Sequence, residues 1–419
     1  MQRIVTFVAL FGLVVMAALA VSLEAPAAAE SPTAATPAVK PSTPGTAPPA
    51  KATPEPGTSG PPIKIGALVS LTGAYVHEGP GILKGMQLAL EHYGRQAGGR
   101  EIQMVVEDDG TDPSIALDKV RKLVEGDKVS MVLVSLFATA GRAVMPYLTE
   151  KKIVGIKQAQ FPAPLIAEFP YIFVPGGTPK QVTWPMGDYA YNTMKLRKIS
   201  IMGPDFVTGH DFMDSFTKRF KELGGEVIQE QWFPVSTVDF GPYLSNIKQA
   251  DAVAVWVAGS GGPNLVKGYN DYGFFRKMPM ITPFISGVLN EDTLPQIGDI
   301  ALGIPGAIPY ASTVDNALNK RVVADWQSKY KARPNYTAIN SGYMSAQFAL
   351  EVLNATKGNT DPDRLKEAIL KLNVDTPCGP VRLNADRVGV YDVYIAKVAK
   401  AGSDYFWQVT ETYKDVTPR

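Results

Sequence analysis

The chain has 419 residues, of which 45% are hydrophobic and 19% charged, with 41 Lys+Arg against 40 Asp+Glu. This length and composition exclude disorder as the dominant state and favour more than one compact unit. Near-neutral charge excludes the basic surface of a nucleic-acid-binding protein. A single cysteine, Cys378, and three scattered histidines leave little material for a disulfide or a metal site, so we expect neither a metal nor a cofactor.

The first 29 residues have the pattern of a secretory signal peptide. Arg3 is followed by an apolar run over residues 4–23 and then by the small residues Ala27–Ala29, which match the basic, apolar and cleavage regions of such a signal. The run of about 20 residues is also long enough to span a bilayer. An uncleaved anchor in the inner membrane, formed by residues 4–23, therefore stays open as an alternative. Both alternatives export the rest of the chain, which we expect in the periplasm.

Residues 30–62 form a segment rich in proline, alanine and threonine. Eleven of the 34 prolines of the chain lie between Glu24 and Pro62, in a stretch that has no aromatic side chain. Such a segment has too little apolar surface to offset the entropy of ordering it. We therefore predict a disordered linker, after which the folded part begins at Ile63.

The folded part begins with alternating strands and helices. Ile63–Val69 is short and apolar, as a buried parallel strand should be, and a glycine-rich turn leads into a helix over Ile82–Ala97. Ile102–Val106 is the next strand, and Asp112 followed by Pro113 predicts the start of a helix. Further strands are predicted at Val129–Val134, Ile153–Ile156, Tyr171–Val174, Ile199–Met202, Val227–Phe233 and Ala252–Val257, and further helices at Gly141–Glu150, Val182–Met194, Asp211–Leu223, Tyr243–Lys248 and Leu265–Tyr272.

This alternation predicts parallel βαβ units with right-handed crossovers, divided near residues 175–177 into two doubly wound α/β lobes. The tail differs, because three helices precede two strands there, and a tail in that order can return to both lobes and tie them together. Its predicted elements are the helices Lys320–Tyr330, Ser341–Ala355 and Leu365–Leu370 and the strands Tyr391–Val398 and Phe406–Thr412. Ligands of open α/β sheets bind beyond the carboxyl ends of the strands. Two facing sheets therefore predict a binding cleft between the lobes.

Two glycine-rich segments are similar to cofactor or catalytic motifs without completing them. Gly79–Gly85 follows a strand and opens a helix, but its spacing is GxGxxxG rather than the GxGxxG of a dinucleotide site. We interpret it as a turn with close helix packing. Ala258–Gly262 lacks the first glycine of a nucleophile elbow, and the last histidine, His210, precedes it. We therefore expect no catalytic residue.

Loops that follow strand ends surround the predicted cleft. Helix N-termini at residues 138–141 and 209–211 are expected to direct backbone N–H groups into it, which would favour an anionic ligand group without lysine or arginine. The candidate ligand-binding residues are Glu78, Phe137, Ala138, Thr139, Ala159, Gln160, Phe161, Phe206, Thr208, Gly259, Ser260, Phe284 and Ser286.

Segments at both ends of the folded part resemble one family of receptors, the branched-chain-amino-acid-type (leucine/isoleucine/valine-binding) periplasmic solute-binding proteins of ABC importers. The segments that carry the resemblance are Ile63–Gly73, Lys84–Ala89, Glu107–Asp109, Asp112-Pro113, Gly379–Arg382 and Tyr391–Ile395. No single motif among them is diagnostic, but their order from Ile63 to Thr412 is specific.

This resemblance implies the type I periplasmic binding fold, in which two lobes joined by a three-segment hinge close around a ligand like a Venus flytrap. Lobe 1 is then expected over residues 63–175 and 311–380, and lobe 2 over residues 176–310 and 381–419. The implied partners are a small-molecule ligand and the membrane subunits of an ABC importer, and we expect a monomer. The alternatives are a membrane-tethered ligand sensor built on the same module and, third, an enzyme.

Departures from the family pattern inform the ligand. Members that bind α-amino acids place small hydroxyl residues after the third strand, where Ala138 replaces the serine here and Thr139 holds the only hydroxyl group. The second lobe usually offers an acid to the ammonium group, but residues 282–287 contain none, and we expect Glu291 on the following helix. Unless Glu78 or Asp205 substitutes, an unpaired buried ammonium makes an amino acid a poor fit.

Five aromatic residues lie near the predicted cleft, namely Phe137, Phe161, Phe206, Trp256 and Phe284. Trp256 falls within a predicted strand, so we expect it in the core. Aromatic side chains combined with backbone donors suit a hydrophobic or aromatic carboxylate. The sequence therefore favours that ligand class, with a branched-chain amino acid second.

Overall fold

The computed structural model of the protein describes residues 60–258 and 261–418. The predicted signal peptide, the alternative anchor and the predicted linker up to residue 59 lie outside the described residues, as do Gly259 and Ser260. Within the described ranges, no helix is both long enough and apolar enough to cross a membrane.

A six-stranded sheet forms the centre of the first lobe. Its strands are β1 (Ile63–Val69), β2 (Gln96–Ala97), β3 (Arg100–Asp108), β4 (Met131–Val134), β5 (Val154–Lys157) and β6 (Ile172–Phe173). They lie in the order β2-β3-β1-β4-β5-β6, and every neighbouring pair is parallel except β2 with β3. Every residue of β4 and β5 is buried, as expected for parallel strands covered on both faces. The helices between the strands are α1 (Gly79–His92), α2 (Pro113–Arg121), α3 (Ala138–Glu150) and α4 (Ala163–Ala167).

The first two helices begin for the reasons that the sequence indicates. Asp112 caps α2, because its Oδ1 accepts hydrogen bonds from the N–H groups of Ser114 at 2.8 Å and Ile115 at 3.0 Å. The glycine-rich turn of α1 allows close packing, since a Cβ atom at Gly85 would lie 1.8 Å from the carbonyl oxygen of Ala338. The close helix packing expected at Gly79–Gly85 is therefore confirmed, but the segment lies within α1 rather than in a turn before a helix at Ile82.

The second lobe contains a four-stranded parallel sheet. Its strands are β7 (Lys198–Pro204), β8 (Glu226–Phe233), β9 (Ala252–Val255) and β10 (Met280–Ile281). They lie in the order β10-β9-β7-β8. The helices of this lobe are α5 (Pro179–Asp188), α6 (Val207–Glu222), α7 (Gly241–Leu244), α8 (Gly262–Asp271) and α9 (Leu294–Ile297).

The tail adds three helices and most of an antiparallel sheet. The helices are α10 (Ala317–Tyr330), α11 (Met344–Ala355) and α12 (Pro362–Ile369), and the strands are β11 (Pro305–Ile308), β12 (Asn373–Thr376), β13 (Gly379–Leu383), β14 (Gly389–Ala401) and β15 (Asp404–Val416). β14 pairs with β15 along one edge and with β13 and β11 along the other. A parallel bridge between Thr282 and Gly306 joins β11 to the sheet of the second lobe.

The chain passes between the lobes three times, after β6, after β11 and between β13 and β14. The helices of the tail return to the first lobe, where Lys329 of α10 forms an ion pair with Glu91 of α1 at 2.5 Å. Two crossings lie side by side, because Val174 accepts a hydrogen bond from the N–H of Gly389 and donates one to the carbonyl of Arg387, each at 2.9 Å. The predicted α/β fold with two parallel-sheet lobes is confirmed, while the residue ranges assigned to the lobes stay a prediction.

Several element bounds differ from the sequence prediction. α6 begins at Val207 rather than Asp211, because Phe206 takes an extended conformation and precedes the helix without a side-chain cap. α7 is a single turn that ends at Leu244, where a helix to Lys248 was expected. β11 contains a proline and a glycine, which weaken the strand pattern, and it was not predicted.

Candidate functional site

A cavity of about 400 Å³ lies between the lobes. The first lobe contributes Glu78 at the start of α1, and the second lobe contributes Ser286 and Glu291 from the segment after β10. Trp407 of β15 and Tyr336, which precedes α11, also line it. Pockets for small ligands have volumes of this order, so the cavity is large enough for a small organic molecule.

Two contacts join the lobes at the cavity wall. The ring of Phe284 meets the ring of Tyr336 edge to face, with centroids 5.6 Å apart. Asn335 donates a hydrogen bond from Nδ2 to Oδ2 of Asp292 at 2.7 Å. Both contacts pair the loop after β10 with the segment before α11, so the lobes meet at an aromatic contact and a polar contact.

The wall from the first lobe leads to the N-terminus of α3. The ring of Tyr75 lies 5.3 Å from Phe137 and 6.4 Å from His77, which lines the cavity. Phe137 precedes α3 without a side-chain cap, and Ala138 and Thr139 in the first turn are exposed. The first N–H groups of α3 therefore have no side-chain cap, and their role in binding an anion stays a prediction.

The wall from the second lobe leads to the N-terminus of α6 in the same way. Phe206 precedes α6 without a side-chain cap, and Thr208 lies half-buried in its first turn. The rings of Phe206 and Trp256 lie 6.1 Å apart, and Trp256 donates from Nε1 to the carbonyl of Ser286 at 2.7 Å. Trp256 itself is buried, as expected. Phe206 is therefore linked through Trp256 to Ser286 of the cavity wall, while the first turns of α3 and α6 do not themselves line the cavity.

The loop after β5 supports the aromatic wall rather than lining the cavity. Gln160 donates from Nε2 to the hydroxyl oxygen of Tyr336 at 2.5 Å, and Asn340 donates to the same oxygen at 3.1 Å. Ala159 is buried. Phe161 is only 2% exposed and packs in the hydrophobic core behind the first sheet, so its ring is not available to a ligand.

The predicted residues thus separate into four groups, one of which is the supporting loop of Ala159, Gln160 and Phe161. Glu78 and Ser286 line the cavity, and Phe284 forms its interlobe contact. Phe137, Ala138, Thr139, Phe206 and Thr208 lie at the two helix N-termini. Gly259 and Ser260 lie outside the described residues, so nothing is assigned to them.

Three acidic residues gather at one end of the cavity, Glu78, Glu291 and Asp292. Burial raises the pKa of Glu78, although a hydrogen bond from the hydroxyl of Thr337, at 2.6 Å, opposes the rise. Burial, together with the nearby Asp292, raises the pKa of Glu291 from its usual 4.5 to about 8. The expectation that Glu291 lies on a helix is wrong. It lies in the turn before α9, and its position in the turn brings the carboxyl group into the cavity.

A family model for periplasmic binding proteins matches residues 62–403. This range covers most of the chain and spans both lobes and the cavity between them. The chain belongs to the periplasmic binding protein family.

Curated and solved relatives agree with this family. The chain is 24% identical over 353 residues to the Leu/Ile/Val-binding protein homolog 6 of Brucella abortus, covering 82% of this chain and 90% of the relative. A solute-binding protein of an ABC transporter from Rhodopseudomonas palustris BisB5, in complex with 3,4-dihydroxybenzoic acid, is 28% identical with a TM-score of 0.78. The match covers 85% of this chain and 98% of that one. A second from R. palustris, in complex with 4-hydroxybenzoate, is 26% identical with the same TM-score and the same coverage. This periplasmic binding protein is therefore a solute-binding protein of the ABC transporter type.

One further residue of this periplasmic binding protein was missed in the sequence. Lys157, at the end of β5, is only 1% exposed and donates from Nζ to the carbonyls of Ser135 at 2.5 Å and Leu136 at 2.9 Å. Burial lowers the pKa of its ammonium group to about 7, while the charge of Asp109 opposes that change. Lys157 therefore fixes the turn that leads into α3, and through that turn it positions the N-terminus of α3.

The site contains polar groups for a ligand but no described metal centre. Within residues 60–258 and 261–418, no group of three or more histidine, cysteine, aspartate or glutamate side chains is arranged to hold a metal ion.

Proposed function

We propose that this solute-binding protein captures a small aromatic carboxylate between its lobes and delivers it to the membrane subunits of an ABC importer. The observation that carries the proposal is the interlobe contact of Phe284 with Tyr336, in which Tyr336 lines the cavity and Phe284 packs against it. Two rings that meet edge to face across a cleft offer the geometry in which a third ring packs well. A planar aromatic ligand would strengthen the contact between the lobes.

The carboxylate would be recognised by helix N-termini. The described residues that line the cavity include no lysine or arginine, so an anion has no cationic side chain to pair with there. The first turns of α3 and α6 instead present unpaired N–H groups and the positive ends of two helix dipoles. Each such terminus stabilises a negative charge by about 0.3–1 kcal/mol, and more when partly buried.

The solved relatives support the aromatic class. The two R. palustris proteins with hydroxybenzoate ligands match this chain at 28% and 26% identity, and each is covered to 98% of its length. Both ligands combine a carboxylate, a ring and at least one hydroxyl group, which is the combination that the helix N-termini, the aromatic wall and the acidic end would accept.

A hydrophobic amino acid such as leucine is the second candidate. The observation that favours it is the acidic end of the cavity, because Glu78 or Glu291 could accept a hydrogen bond from an ammonium group. The argument from sequence against an amino acid assumed that no such acid faces the ligand, and the position of Glu291 weakens that argument. The curated relative from Brucella abortus bears a Leu/Ile/Val-binding name.

The mechanism requires binding and closure but no chemistry. A ligand that touches both Phe284 and Tyr336 contacts both lobes only when they are closed, so binding shifts an open–closed equilibrium toward the closed form. The closed form is the one that we expect the importer to recognise. We propose that the protein acts as a monomer, without a catalytic role.

A thermal-shift screen tests the ligand class. 4-Hydroxybenzoate and benzoate should stabilise the purified protein, because a ligand at about 100 times its dissociation constant adds about 2.7 kcal/mol to the free energy of unfolding. Leucine and valine at the same concentration should give smaller shifts. Stabilisation by leucine or valine without any by the aromatic acids would contradict the proposal.

A matched pair of variants tests whether 4-hydroxybenzoate stabilises the protein by binding in the cavity. Phe284→Leu removes the ring that meets Tyr336, and it should weaken 4-hydroxybenzoate binding about 3- to 10-fold. Phe274→Leu removes a half-buried ring that packs on Tyr269, away from the cavity, and should leave the affinity unchanged. Equal losses in both variants would show that the effect comes from general destabilisation.

A further inference from the structure

We propose that Asn335 is a latch between the lobes. Its hydrogen bond to Asp292 holds part of the ligand-free protein closed, and it thereby sets the affinity for any ligand that enters the cavity. The inference goes beyond the proposed function, because the latch acts in the empty protein and does not depend on the class of ligand. Asn335 and Asp292 both line the cavity, one from each lobe.

Asn335 is fixed within the first lobe. Its Oδ1 accepts a hydrogen bond from the N–H of Ala338 at 2.9 Å, as a helix-capping side chain does. The segment that follows packs tightly on α1, since a Cβ atom at Gly85 would lie 1.8 Å from the carbonyl oxygen of Ala338. Because a backbone N–H can only donate, this bond fixes the orientation of the amide. The Nδ2 group is therefore the one that meets the second lobe.

Asp292 is fixed in the second lobe by the turn before α9. In this turn the carbonyl of Asn290 accepts a hydrogen bond from the N–H of Thr293 at 2.8 Å. The side chain of Asn290 accepts another from the N–H of Gly287 at 2.9 Å. The bond of 2.7 Å from Asn335 to Asp292 thus joins two supported segments. Because neither segment can follow the other, the bond must break when the lobes separate.

The charges at the cavity explain why a latch is needed. Glu78 of the first lobe and Glu291 and Asp292 of the second line the same cavity. Burial raises the pKa of both glutamates, and the charge of Asp292 adds to that rise. Among the described residues, no lysine or arginine lines the cavity. Closure therefore brings acidic groups together, and the charge-assisted hydrogen bond from Asn335 offsets their repulsion.

The latch lies beside the aromatic contact between the lobes. Asn335 is followed by Tyr336, whose ring lies 5.6 Å from that of Phe284. One segment of the first lobe thus carries both a polar and an aromatic contact to the second. An apparent dissociation constant is the intrinsic value divided by the fraction of molecules that is competent to bind. By raising the closed fraction, the latch tightens the binding of different ligands by the same factor.

Pulsed electron paramagnetic resonance on the ligand-free protein measures the latch directly. Spin labels at Ile115→Cys, in α2, and Val238→Cys, after β8, replace exposed side chains of the two lobes, while the native Cys378 is buried. The wild-type protein should give a short distance, from closed molecules, and a longer one from open molecules. Asn335→Asp keeps an acceptor for Ala338 but directs a second carboxylate at Asp292. It should lower the ratio of closed to open molecules at least about 3-fold.

An exchanged pair distinguishes the latch from a general loss of stability. Asn335→Asp combined with Asp292→Asn places the donor in the second lobe and the acceptor in the first. The ratio of closed to open molecules should recover at least about 3-fold relative to Asn335→Asp alone. Asn359→Asp is the matched control, because Asn359 also accepts a backbone hydrogen bond, from Asp361 at 2.8 Å, at an exposed position. It should keep the wild-type distances.

Titration with 4-hydroxybenzoate separates this inference from the proposed function. If the ligand binds, Asn335→Asp should weaken its affinity by the factor by which the closed ratio falls, and the exchanged pair should restore it. If no benzoate binds but the distances change as expected, the latch is correct and the aromatic ligand is wrong. Equal distances in all four proteins, an entirely open wild-type protein, no recovery in the exchanged pair, or an unchanged affinity despite a lower closed ratio would overturn the inference.

Discussion

Replacing Glu291 with glutamine should raise the free energy of unfolding of the ligand-free protein, and the gain should grow as the pH rises from 5 to 8. The pKa of Glu291 is raised from 4.5 to about 8 by burial and by Asp292. Between these values the folded protein holds a proton that the unfolded chain releases, so the wild-type protein loses stability as the pH rises. Each pH unit in this window corresponds to about 1.4 kcal/mol, and the gain between pH 5.5 and 8 should approach about 3 kcal/mol.

Urea unfolding at pH 5.5, 7 and 8 measures this difference. Glu367→Gln, at an exposed position of α12, is the matched control and should follow the wild-type curve. A gain for Glu291→Gln that is the same at all three pH values would show that the carboxyl group is not held in its neutral form. A loss at pH 8 would show that Glu291 has a stabilising partner when charged.

Replacing Lys157 with methionine should remove a pH dependence of the opposite sign. Burial lowers the pKa of Lys157 from 10.5 to about 7, while Asp109 opposes the change. Between these values the unfolded chain holds a proton that the folded protein releases, so wild-type stability should rise with pH. From pH 7 to 9 this contribution amounts to about 2 kcal/mol, and Lys157→Met should lack it.

The hydrogen bonds of Asp109 matter for comparing the stability of the wild-type protein with that of Lys157→Met. Asp109 is held by hydrogen bonds from the Thr111 N–H at 2.8 Å and from the hydroxyl of Ser135, so it keeps partners in the variant. Lys371→Met, at an exposed position, controls for the loss of a lysine elsewhere. Parallel stability curves for wild type and Lys157→Met between pH 7 and 9 would mean that Lys157 stays charged in the folded protein.

Burial acts on the ionisation of both Glu291 and Lys157. Both are ionisable groups placed in a buried environment, which disfavours their charged forms. Lys157 compensates through two carbonyl contacts that fix the turn before α3. The Oε1 atom of Glu291 is buried and has no hydrogen-bond partner among the described residues, so its burial is not offset in the same way.

The sequence predicts those features of the fold that depend on neighbouring residues. The apolar strands, the cap at Asp112 and the close packing at Gly79–Gly85 follow from local patterns, and the structure contains each of them. The sequence did not predict β11, because Pro305 and Gly306 interrupt its strand pattern. It also pairs with β14, which lies far away in the chain. Pairing of that kind depends on the tertiary fold and leaves little local signal.

The cavity was only partly predictable for the same reason. Glu78 and Ser286 were identified because each follows a strand end, where ligands of α/β sheets bind. Glu291 lies ten residues beyond β10, and only the turn before α9 returns it to the cavity. Phe161 shows the reverse, since a phenylalanine in a loop after a strand can face the core as well as the cleft, and here it packs behind the sheet.

The most direct test of the account is a crystal structure of the protein with 4-hydroxybenzoate. The ring should lie in the cavity in contact with Phe284 and Tyr336. The carboxylate oxygens should lie about 3 Å from N–H groups in the first turn of α3 or α6. A ligand bound outside the cavity between the lobes, or one whose carboxylate faces Glu291, would contradict the account.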